Sequence, residues 1–345
     1  MKRLFRGLRR PPDWRYDAIV IGAGIGGLVT ANLLARDGLS VLLLEQHYMV
    51  GGYCSTFRCG GYTFDAATHF YPLLGNPDTL SGRLLRDLGV ETGWIKMDPV
   101  DTFHFPDGSR FAVPADFDRY LARLKAEFPD EAAALDDFFA AVREAYLMGL
   151  LHFFRGRPVE HLPRLAPYLD LTVKEALDRW FRHPKLKLLL TADCPHWGSP
   201  PGRTSFVFDS MLRLSYFLGN YYPRGSSQAF ADELARCFEE RGGYLLTSAL
   251  ARRIVIERGA VSGVEIEVLR GPLSRLCSRD LVRADVVVFN ADLLLILEEL
   301  VGPAHLPASA VELVRRLCAS FPCWLTHFGL RGVPASALET AQGYW

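Results

Sequence analysis

Residues 16–52 read YDAIVIGAGIGGLVTANLLARDGLSVLLLEQHYMVGG, and this stretch decides the fold. An apolar run at residues 18–21 passes directly into glycines, then into helically spaced leucines and alanines, and then into a second apolar run at residues 41–44. The pattern predicts a strand, a glycine turn, a helix and a second strand. In such a unit, glycines permit the tight turn, the approach of backbone to a pyrophosphate and the close packing of helix on strand. The sequence therefore predicts a dinucleotide site at the start of the helix.

The glycines of this turn are Gly22, Gly24, Gly26 and Gly27, and Glu45 follows the second apolar run, 23 residues after Gly22. A carboxylate at this spacing can accept hydrogen bonds from the ribose hydroxyls of an adenosine, and it would repel a 2′-phosphate. The site therefore fits FAD or NAD and excludes NADP. Similar turns occur in α/β proteins that hold no ligand, but the agreement of strand, helix and acid favours the ligand-binding interpretation.

The composition describes a folded protein without a dominant charge. A chain of 345 residues, 49% apolar and 12% aromatic, is long enough for two domains with a sizeable core. Its 39 basic and 39 acidic residues balance, which argues against nucleic acid as a partner. Residues 1–15 differ, because they carry six Lys or Arg and one Asp. This basic arm is either a solubilising tail or a segment that touches anionic lipid headgroups.

The apolar runs and the cysteines indicate the compartment. No run reaches the roughly 18 apolar residues of a membrane span, and none follows the basic arm as in a signal peptide. The seven cysteines are odd in number and include no CxxC pair, which argues against a disulfide framework or a zinc site. We therefore expect a metal-free protein that is cytoplasmic and peripherally membrane-associated.

Periodicity and turn residues divide the rest of the chain. Predicted helices cover residues 80–88, 116–128, 132–151 and 228–241; a hairpin is centred on residues 106–109; residues 221–227 form a loop; strands cover residues 251–257, 261–268 and 284–290. The last strand is fully apolar and of the type buried in parallel sheets. Asp292 follows it and can cap a further helix.

This order predicts an α/β fold in which a Rossmann-like domain, a doubly wound parallel sheet, is interrupted by a mainly helical substrate domain. In chain order, the expected segments are the basic arm at 1–15, the first part of the nucleotide-binding domain at 16–75, the helical substrate domain at 76–218, the second part of the nucleotide-binding domain at 219–300, and the start of a further substrate-domain segment at 301–345.

One helical segment is unusually apolar where it ends. Residues 146–154 include Phe153 and Phe154, and Arg155, Arg157 and Arg164 follow. Such a face is either part of a core or an interfacial patch, with aromatics in the acyl region of a bilayer and arginines at the headgroups. The sequence leaves both interpretations open.

An ordered set of motifs carries a family resemblance. The motifs are DAIVIGAGIGGL at 17–28, LLE at 43–45, GG at 51–52, GYTFD at 61–65 followed by His69, YPRGS at 222–226, GV at 263–264 and ADVV at 284–287. With these motifs the chain resembles the phytoene desaturases, carotenoid isomerases and retinol saturases, a branch of the amine-oxidase-like FAD enzymes. The resemblance spans about residues 16–292.

The resemblance implies FAD rather than NAD, and it assigns roles by motif position. The implied cofactor-binding residues are Gly22, Gly24, Gly26 and Gly27 for the pyrophosphate, Glu45 for the adenosine ribose, Gly51 and Gly52 for the approach to the flavin, and Ala251 on the strand whose backbone meets the adenine. Ser226 stands where the family carries a second glycine after Gly225, which is a departure from the family pattern in that loop.

The implied activity is FAD-dependent desaturation or cis-trans isomerisation of a carotenoid-like polyene at a membrane surface. Alternatives are saturation of a retinoid double bond, oxidation of an amine, and a non-catalytic protein. The last is raised because the chain stops at Trp345 without the glycine-rich motif that closes the flavin site in the family, as in a fragment or truncated product. His69 is the candidate proton relay, although a structural hydrogen bond is an equal interpretation, and Asp65 is expected to fix local backbone. The oligomeric state stays open.

Overall fold

The computed structural model describes residues 14–192, 194–269, 280–317, 322 and 324–334. Most of the predicted basic arm, residues 1–13, lies outside the described residues, as do Cys277, Cys318 and Cys323. The chain forms two compact units. Among the described residues, the sheet unit comprises residues 14–69, 83–94, 223–269 and 280–317, and the helical unit comprises residues 70–82, 95–192, 194–222, 322 and 324–334.

The elements follow in chain order. The strands are β1 (Arg15–Ile21), β2 (Val41–Leu44), β3 (Thr56–Cys59), β4 (Tyr62–Asp65), β5 (Tyr71–Pro72), β6 (Trp94–Lys96), β7 (Asp101–His104), β8 (Arg110–Val113), β9 (Asn220–Pro223), β10 (Tyr244–Leu246), β11 (Ala249–Glu257), β12 (Ala260–Val268) and β13 (Asp280–Phe289). The α-helices are α1 (Ile25–Arg36), α2 (Leu80–Asp87), α3 (Phe117–Glu127), α4 (Ala132–Gly149), α5 (Val173–Trp180), α6 (Pro184–Thr191), α7 (Phe206–Phe217), α8 (Ser227–Glu240), α9 (Leu293–Leu295) and α10 (Ala308–Arg316).

The sheet unit is built on six strands in the order β10-β2-β1-β13-β12-β11. The first four are parallel, and β12 and β11 add antiparallel to β13. Helix α1 packs on β1 and β2, while α8 packs on α1 and β10. On the other face, Ile19 and Leu42 of the parallel strands share a core with Val264 of the antiparallel strands. The predicted α/β fold of the Rossmann type is confirmed, and residues of the helical segment 295–301 join the antiparallel strands in the core of that second face.

Strand β13 corrects the prediction of a strand buried in a parallel sheet. Only its pairing with β1 is parallel, whereas residues 280–283 pair antiparallel with β12. The side chain of Val286 is 49% exposed. The reason is positional, because α1 lies over β1 and β2, and among the described residues only β1 pairs with residues 284–289. A mostly apolar stretch, interrupted by Asp285, is therefore partly exposed although β13 is an inner strand of the sheet.

Residues 83–94, which the sequence assigned to the substrate domain, pack within the sheet unit. The backbone amide of Glu91 donates to the carboxylate of Glu233 on α8 at 2.9 Å, and Arg241 donates to the carbonyl oxygen of Leu88 at 2.7 Å. These bonds join residues more than 140 positions apart. The segment is therefore anchored by α8 rather than by the helices that follow it in sequence.

The helical unit surrounds an aromatic core. Its largest fully buried side chains include Phe138, Phe181 and Phe206, contributed by α4, the end of α5 and α7. Helices α4 and α7 pack closely at Gly149. A Cβ atom added there would lie 2.7 Å from the sulfur of Met211 on α7. The predicted helices and the β7–β8 hairpin are confirmed here. The first residues of the loop predicted at 221–227 belong instead to β9, which pairs antiparallel with β5.

A buried ion pair lies inside the helical unit. Asp209 and Arg213 are one turn apart on α7, with side chains that are 0% and 4% exposed. The Nε and Nη2 atoms of Arg213 donate to the two carboxylate oxygens of Asp209 at 2.9 and 3.1 Å, and Nη2 also donates to the carbonyl oxygen of Leu190 at 2.6 Å. The pair therefore joins α7 to the end of α6.

Candidate cofactor site

The glycine turn between β1 and α1 requires glycine at two of its positions. Gly22 has a φ of +98°, and a Cβ atom there would lie 2.4 Å from the carbonyl oxygen of Asn290. A Cβ atom on Gly27 would lie 1.9 Å from the carbonyl oxygen of Gly22. Both neighbours are backbone atoms, which cannot rotate away as a side chain would. The predicted roles of Gly22 in the turn and Gly27 in helix packing therefore agree with the geometry.

The N-terminus of α1 is open. Gly24 occupies the N-cap position with extended backbone, no side chain caps the helix, and its first turn holds no acidic residue. Among the described residues, no atom beyond the adjoining residues of the chain lies within 4 Å of the position that a Cβ atom on Gly24 would take. The first amides of a helix have no intrahelical partner and carry the positive end of the helix dipole. This combination of open space and unpaired amides fits a phosphate group.

Glu45 holds the two loops that border the turn. One carboxylate oxygen accepts from the backbone amide of Ala23 at 2.8 Å, and the other accepts from the amide of His47 at 2.8 Å. The residue is half-buried. A carboxylate oxygen has a second lone pair, so each can still accept a bond from a ribose hydroxyl. Glu45 therefore fixes the glycine turn from the β2 side and keeps acceptors for a ligand.

Gly51 and Gly52 lie against the glycine turn. The sequence predicts that both backbone amides approach the cofactor, and the structure corrects this prediction for Gly51. Gly51 has a φ of +114°, and its amide donates to the carbonyl oxygen of Ala23 at 2.8 Å. That amide therefore supports the turn and is not directed to a cofactor. A Cβ atom on Gly52 would lie 3.3 Å from the Cα atom of Gly24, so glycine allows this close approach.

Ala251 lies near the start of β11, and its side chain is buried. The strand begins beside Glu45, because the amide of Ala249 donates to the carbonyl oxygen of Glu45 at 2.9 Å. The preceding amide, of Ser248, donates to the carbonyl oxygen of His47 at 2.9 Å. The structure thus brings the start of the Ala251 strand next to Glu45.

Asp65 is the last residue of β4, His69 lies four residues later, and the two side chains make different contacts. Asp65 accepts from the backbone amide of Ser227 at 3.2 Å, and the hydroxyl of Ser227 donates to the carbonyl oxygen of Thr68 at 2.7 Å. Asp65 therefore connects its loop to the start of α8, in line with the expected backbone role. His69 is exposed, with its Nδ1 atom 3.1 Å from the carbonyl oxygen of Ala67.

Ser226 adopts a backbone conformation suited to glycine, with a φ of +135° and a ψ of 169°. Its hydroxyl accepts from the amide of Ala229 at 3.4 Å and caps α8. A non-glycine residue in this region stores strain of about 1–3 kcal/mol. The backbone at Ser226 therefore adopts a conformation that glycine would take without strain. The serine is strained there, but its hydroxyl caps α8.

We expect Ser226→Gly to stabilise the protein by about 1 kcal/mol, because relief of strain exceeds the weaker cap and the added freedom of the unfolded chain. The urea midpoint measures this change. Ser205→Gly is the matched control, since Ser205 caps α7 at an ordinary φ of −61° and its replacement can only lose stability. A Ser226→Gly variant destabilised as much as Ser205→Gly would contradict the assignment of strain.

Gln228 and Asn290 contact the glycine turn or the Gly51 loop, although neither belongs to the motifs quoted from the sequence. Gln228 on α8 donates to the carbonyl oxygen of Val50 at 3.1 Å and so holds the Gly51 loop, and it also donates to Asp232 at 2.8 Å. Burial raises the pKa of Asp232, and the bond from Gln228 opposes that rise. Asn290 touches the glycine turn itself. No local pattern marks either residue.

Among the described residues, no group of three His, Cys, Asp or Glu is arranged to hold a metal.

Comparison with known proteins agrees with this geometry. Residues 20–88 match the model of an NAD(P)-binding Rossmann-like domain. The chain is 29% identical to the all-trans-retinol 13,14-reductase of Danio rerio over 84% of this chain and 50% of that protein. It is 30% identical to prolycopene isomerase 1 of an Oncidium hybrid cultivar over 73% of this chain and 46% of that protein. The chain therefore spans about half the length of these curated relatives.

A solved structure gives the same fold. The crystal structure of an oxidoreductase from Methanosarcina mazei superposes with a TM-score of 0.64 at 17% identity, covering 87% of this chain and 65% of that one. At that identity the likeness concerns the fold alone. The sequence relatives include retinol 13,14-reductases, prolycopene isomerases and a phytoene desaturase, and the chain resembles this group of proteins.

Proposed function

We propose that this protein is an FAD-dependent oxidoreductase that acts on a carotenoid-like polyene, by desaturation or cis-trans isomerisation, at a membrane surface. The observation that carries the proposal is the open space in front of Gly24, beside the uncapped start of α1. Glu45 lies at the other side of the same turn with acceptors for a ribose. Similarity to a retinol 13,14-reductase and a prolycopene isomerase supports the substrate class.

The residues present fit the adenosine and pyrophosphate half of FAD. In this proposal the amides after Gly24 hold the pyrophosphate, Glu45 binds the ribose, and the β11 backbone at Ala251 meets the adenine. A bound flavin would supply the two-electron redox centre that polyene desaturation or saturation needs. His69 is the proposed proton relay, because an imidazole can both donate and accept a proton and the side chain is exposed.

Replacing Glu45 with alanine should weaken FAD binding by about 1.5–3 kcal/mol, through the loss of charge-assisted hydrogen bonds. Quenching of flavin fluorescence on titration gives the dissociation constant. Glu298→Ala removes an exposed glutamate of the same unit and is the control for net charge. An affinity equal to that of the wild type would show that the ribose contact is assigned to the wrong residue.

The proposed membrane contact is an apolar patch of the helical unit, formed by Leu147, Phe153 and Phe154. Their exposed fractions are 55%, 62% and 71%. The two phenylalanines lie in a single π-helical turn that extends α4, directly before Arg155 and Arg157. Both arginines are exposed, which places positive charge next to exposed aromatic rings. This combination fits an anionic bilayer surface. No helix among the described residues has the length and hydropathy to cross a membrane.

A Phe153→Ser/Phe154→Ser variant should bind vesicles of mixed neutral and anionic lipid about tenfold more weakly or worse, because two aromatic side chains lose their burial in the bilayer. Vesicle co-flotation measures the bound fraction. Leu313→Ser/Leu317→Ser is the control, since these leucines on and after α10 are 64% and 57% exposed. Equal losses in the two variants would refute a specific patch.

The activity itself is tested by incubating the flavin-loaded protein with vesicles that contain a series of carotenoids or retinoids. The proposal predicts a change in the absorption spectrum of at least one polyene. Product mass separates the reactions, since desaturation removes two hydrogens, isomerisation leaves the mass unchanged, and saturation adds two. Saturation of a retinoid is the second candidate, favoured by the similarity to retinol 13,14-reductases. Unchanged spectra with every polyene offered would support a non-catalytic protein.

A further inference from the structure

We infer that Asn290 is a cofactor-binding residue, whose carboxamide donates a hydrogen bond to the pyrophosphate from the side of the glycine turn opposite to Glu45. The inference rests on the proposed function, because it concerns the same FAD site. No family motif noted above includes Asn290. Its place in the fold and its contacts carry the argument.

The strand order puts Asn290 at one wall of the expected crevice. Strand β1 has β2 on one side and β13 on the other, and all three are parallel. The chain therefore reverses direction across the sheet between β1 and β13, and ligands of open α/β sheets bind in the crevice at such a switch point, outside the carboxyl ends of the strands. Gly22 follows β1, and Asn290 follows β13. These two residues border that crevice.

The contacts place the carboxamide on the turn itself. The amide of Asn290 donates to the carbonyl oxygen of Ile21 at 2.9 Å, which fixes its backbone beside the end of β1. A Cβ atom on Gly26 would lie 2.9 Å from both the Nδ2 and Oδ1 atoms of Asn290. Gly26 belongs to the first turn of α1. The side-chain amide therefore lies next to the unpaired amides that are proposed to receive the pyrophosphate.

The carboxamide of Asn290 is also available to donate hydrogen bonds to a ligand. Asn290 is exposed, and within the described residues its side chain makes no hydrogen bond. The Nδ2 group has two donors, and phosphate oxygens are acceptors only. Glu45, which uses both carboxylate oxygens on backbone amides, fixes one side of the turn, whereas Asn290 leaves its donors unused on the other. An exposed donor at the positive end of a helix is suited to an anion.

The test compares Asn290→Ala and Asn290→Asp with the wild-type chain for binding of FAD, ADP and adenosine by calorimetry. Loss of a hydrogen bond to a charged group should weaken FAD and ADP binding by the same factor, about ten- to a hundredfold, and leave adenosine binding unchanged. Asn290→Asp should bind FAD more weakly than Asn290→Ala, because its carboxylate repels the phosphates, and added salt should narrow that difference. Asp285→Asn, an exposed residue earlier on β13, should match the wild type.

The outcomes distinguish a failure of the inference about Asn290 from a failure of the proposed FAD-dependent function. Wild-type binding of FAD with an unchanged affinity in Asn290→Ala would leave the proposed function standing and overturn the inference. Equal weakening of FAD, ADP and adenosine by Asn290→Ala would also overturn it, because that pattern indicates a structural role. A wild-type chain that binds none of the three ligands would contradict both the inference about Asn290 and the proposed function. A phosphate-dependent loss that is larger for Asn290→Asp supports the inference.

Discussion

Arg213→Met is expected to destabilise the helical unit by about 3–5 kcal/mol, the largest effect of any single replacement considered for that unit. The variant leaves the carboxylate of Asp209 fully buried and removes the two hydrogen bonds that Arg213 donates to it. It also removes the bond to the carbonyl oxygen of Leu190 at the end of α6. An unpaired buried charge costs far more than the pair contributed, so the loss is large although the pair itself adds little net stability.

The same variant should make stability depend on pH. Burial raises the pKa of Asp209, and Arg213 opposes that rise, so removal of the guanidinium leaves only the raising effect. A carboxyl with a folded-state pKa above its unfolded value binds more protons in the folded state, and stability then falls as pH rises from the unfolded towards the folded pKa. Arg213→Met is therefore expected to be more stable in mildly acidic than in alkaline buffer.

Urea unfolding of Arg213→Met at several pH values, followed by circular dichroism, measures both effects. The control is the double variant Asp209→Leu/Arg213→Met, which replaces the pair with apolar groups of similar size. It should recover most of the lost stability and lose the pH dependence, because no buried charge remains. A single variant within about 1 kcal/mol of the wild type would contradict the burial of this ion pair.

The second large effect is expected at Gly27, where alanine should destabilise the sheet unit by about 3 kcal/mol or more. The added Cβ atom would lie 1.9 Å from the carbonyl oxygen of Gly22. Relief would require α1 to move away from β1, and the glycine turn would deform with it. Loss of cofactor binding in this variant would follow from the damaged fold.

Gly24→Ala is the matched variant that separates binding from folding. Gly24 has a φ of −67° and a ψ of 175°, which alanine adopts easily, and its Cβ atom would meet no atom within 4 Å. Stability should stay within about 0.5 kcal/mol of the wild type. FAD binding should fall by about a hundredfold or more, because the methyl group occupies the space through which the pyrophosphate approaches the backbone.

Thermal unfolding and flavin titration of both variants check this pair. The account predicts a large stability loss with Gly27→Ala and a binding loss at full stability with Gly24→Ala. If Gly24→Ala bound FAD as tightly as the wild type, the space in front of Gly24 would have no role in binding.

The parts of the fold that the sequence predicted depend on contacts between near neighbours in the chain. The β1, glycine turn, α1 and β2 unit is specified by residues within one stretch, and so is the cap that Asp292 forms with the amides of Leu294 and Leu295. The β7–β8 hairpin follows from a turn sequence between two short strands. In each case hydrophobic period and turn chemistry agree, which leaves little for distant contacts to decide.

The parts that it missed depend on residues far apart in sequence. The open face of β13 at Val286 results from which strands α1 covers, and apolar composition alone cannot report that. The pairing of Asp209 with Arg213 matches an ordinary surface pair one helical turn apart, and only the surrounding helices bury it. Asn290 reaches Gly26 through the pairing of β13 with β1, across more than 260 residues. Such positions require the assembled fold.

Titration of the purified chain with FAD, ADP and NADP tests the central claim most directly, namely that the turn from Gly22 to Gly27 and Glu45 form a site for FAD. The account predicts that one FAD binds per chain, that ADP displaces it, and that NADP does not, because Glu45 repels a 2′-phosphate. Binding of NADP in preference to FAD, or no binding of FAD by the folded chain, would contradict it.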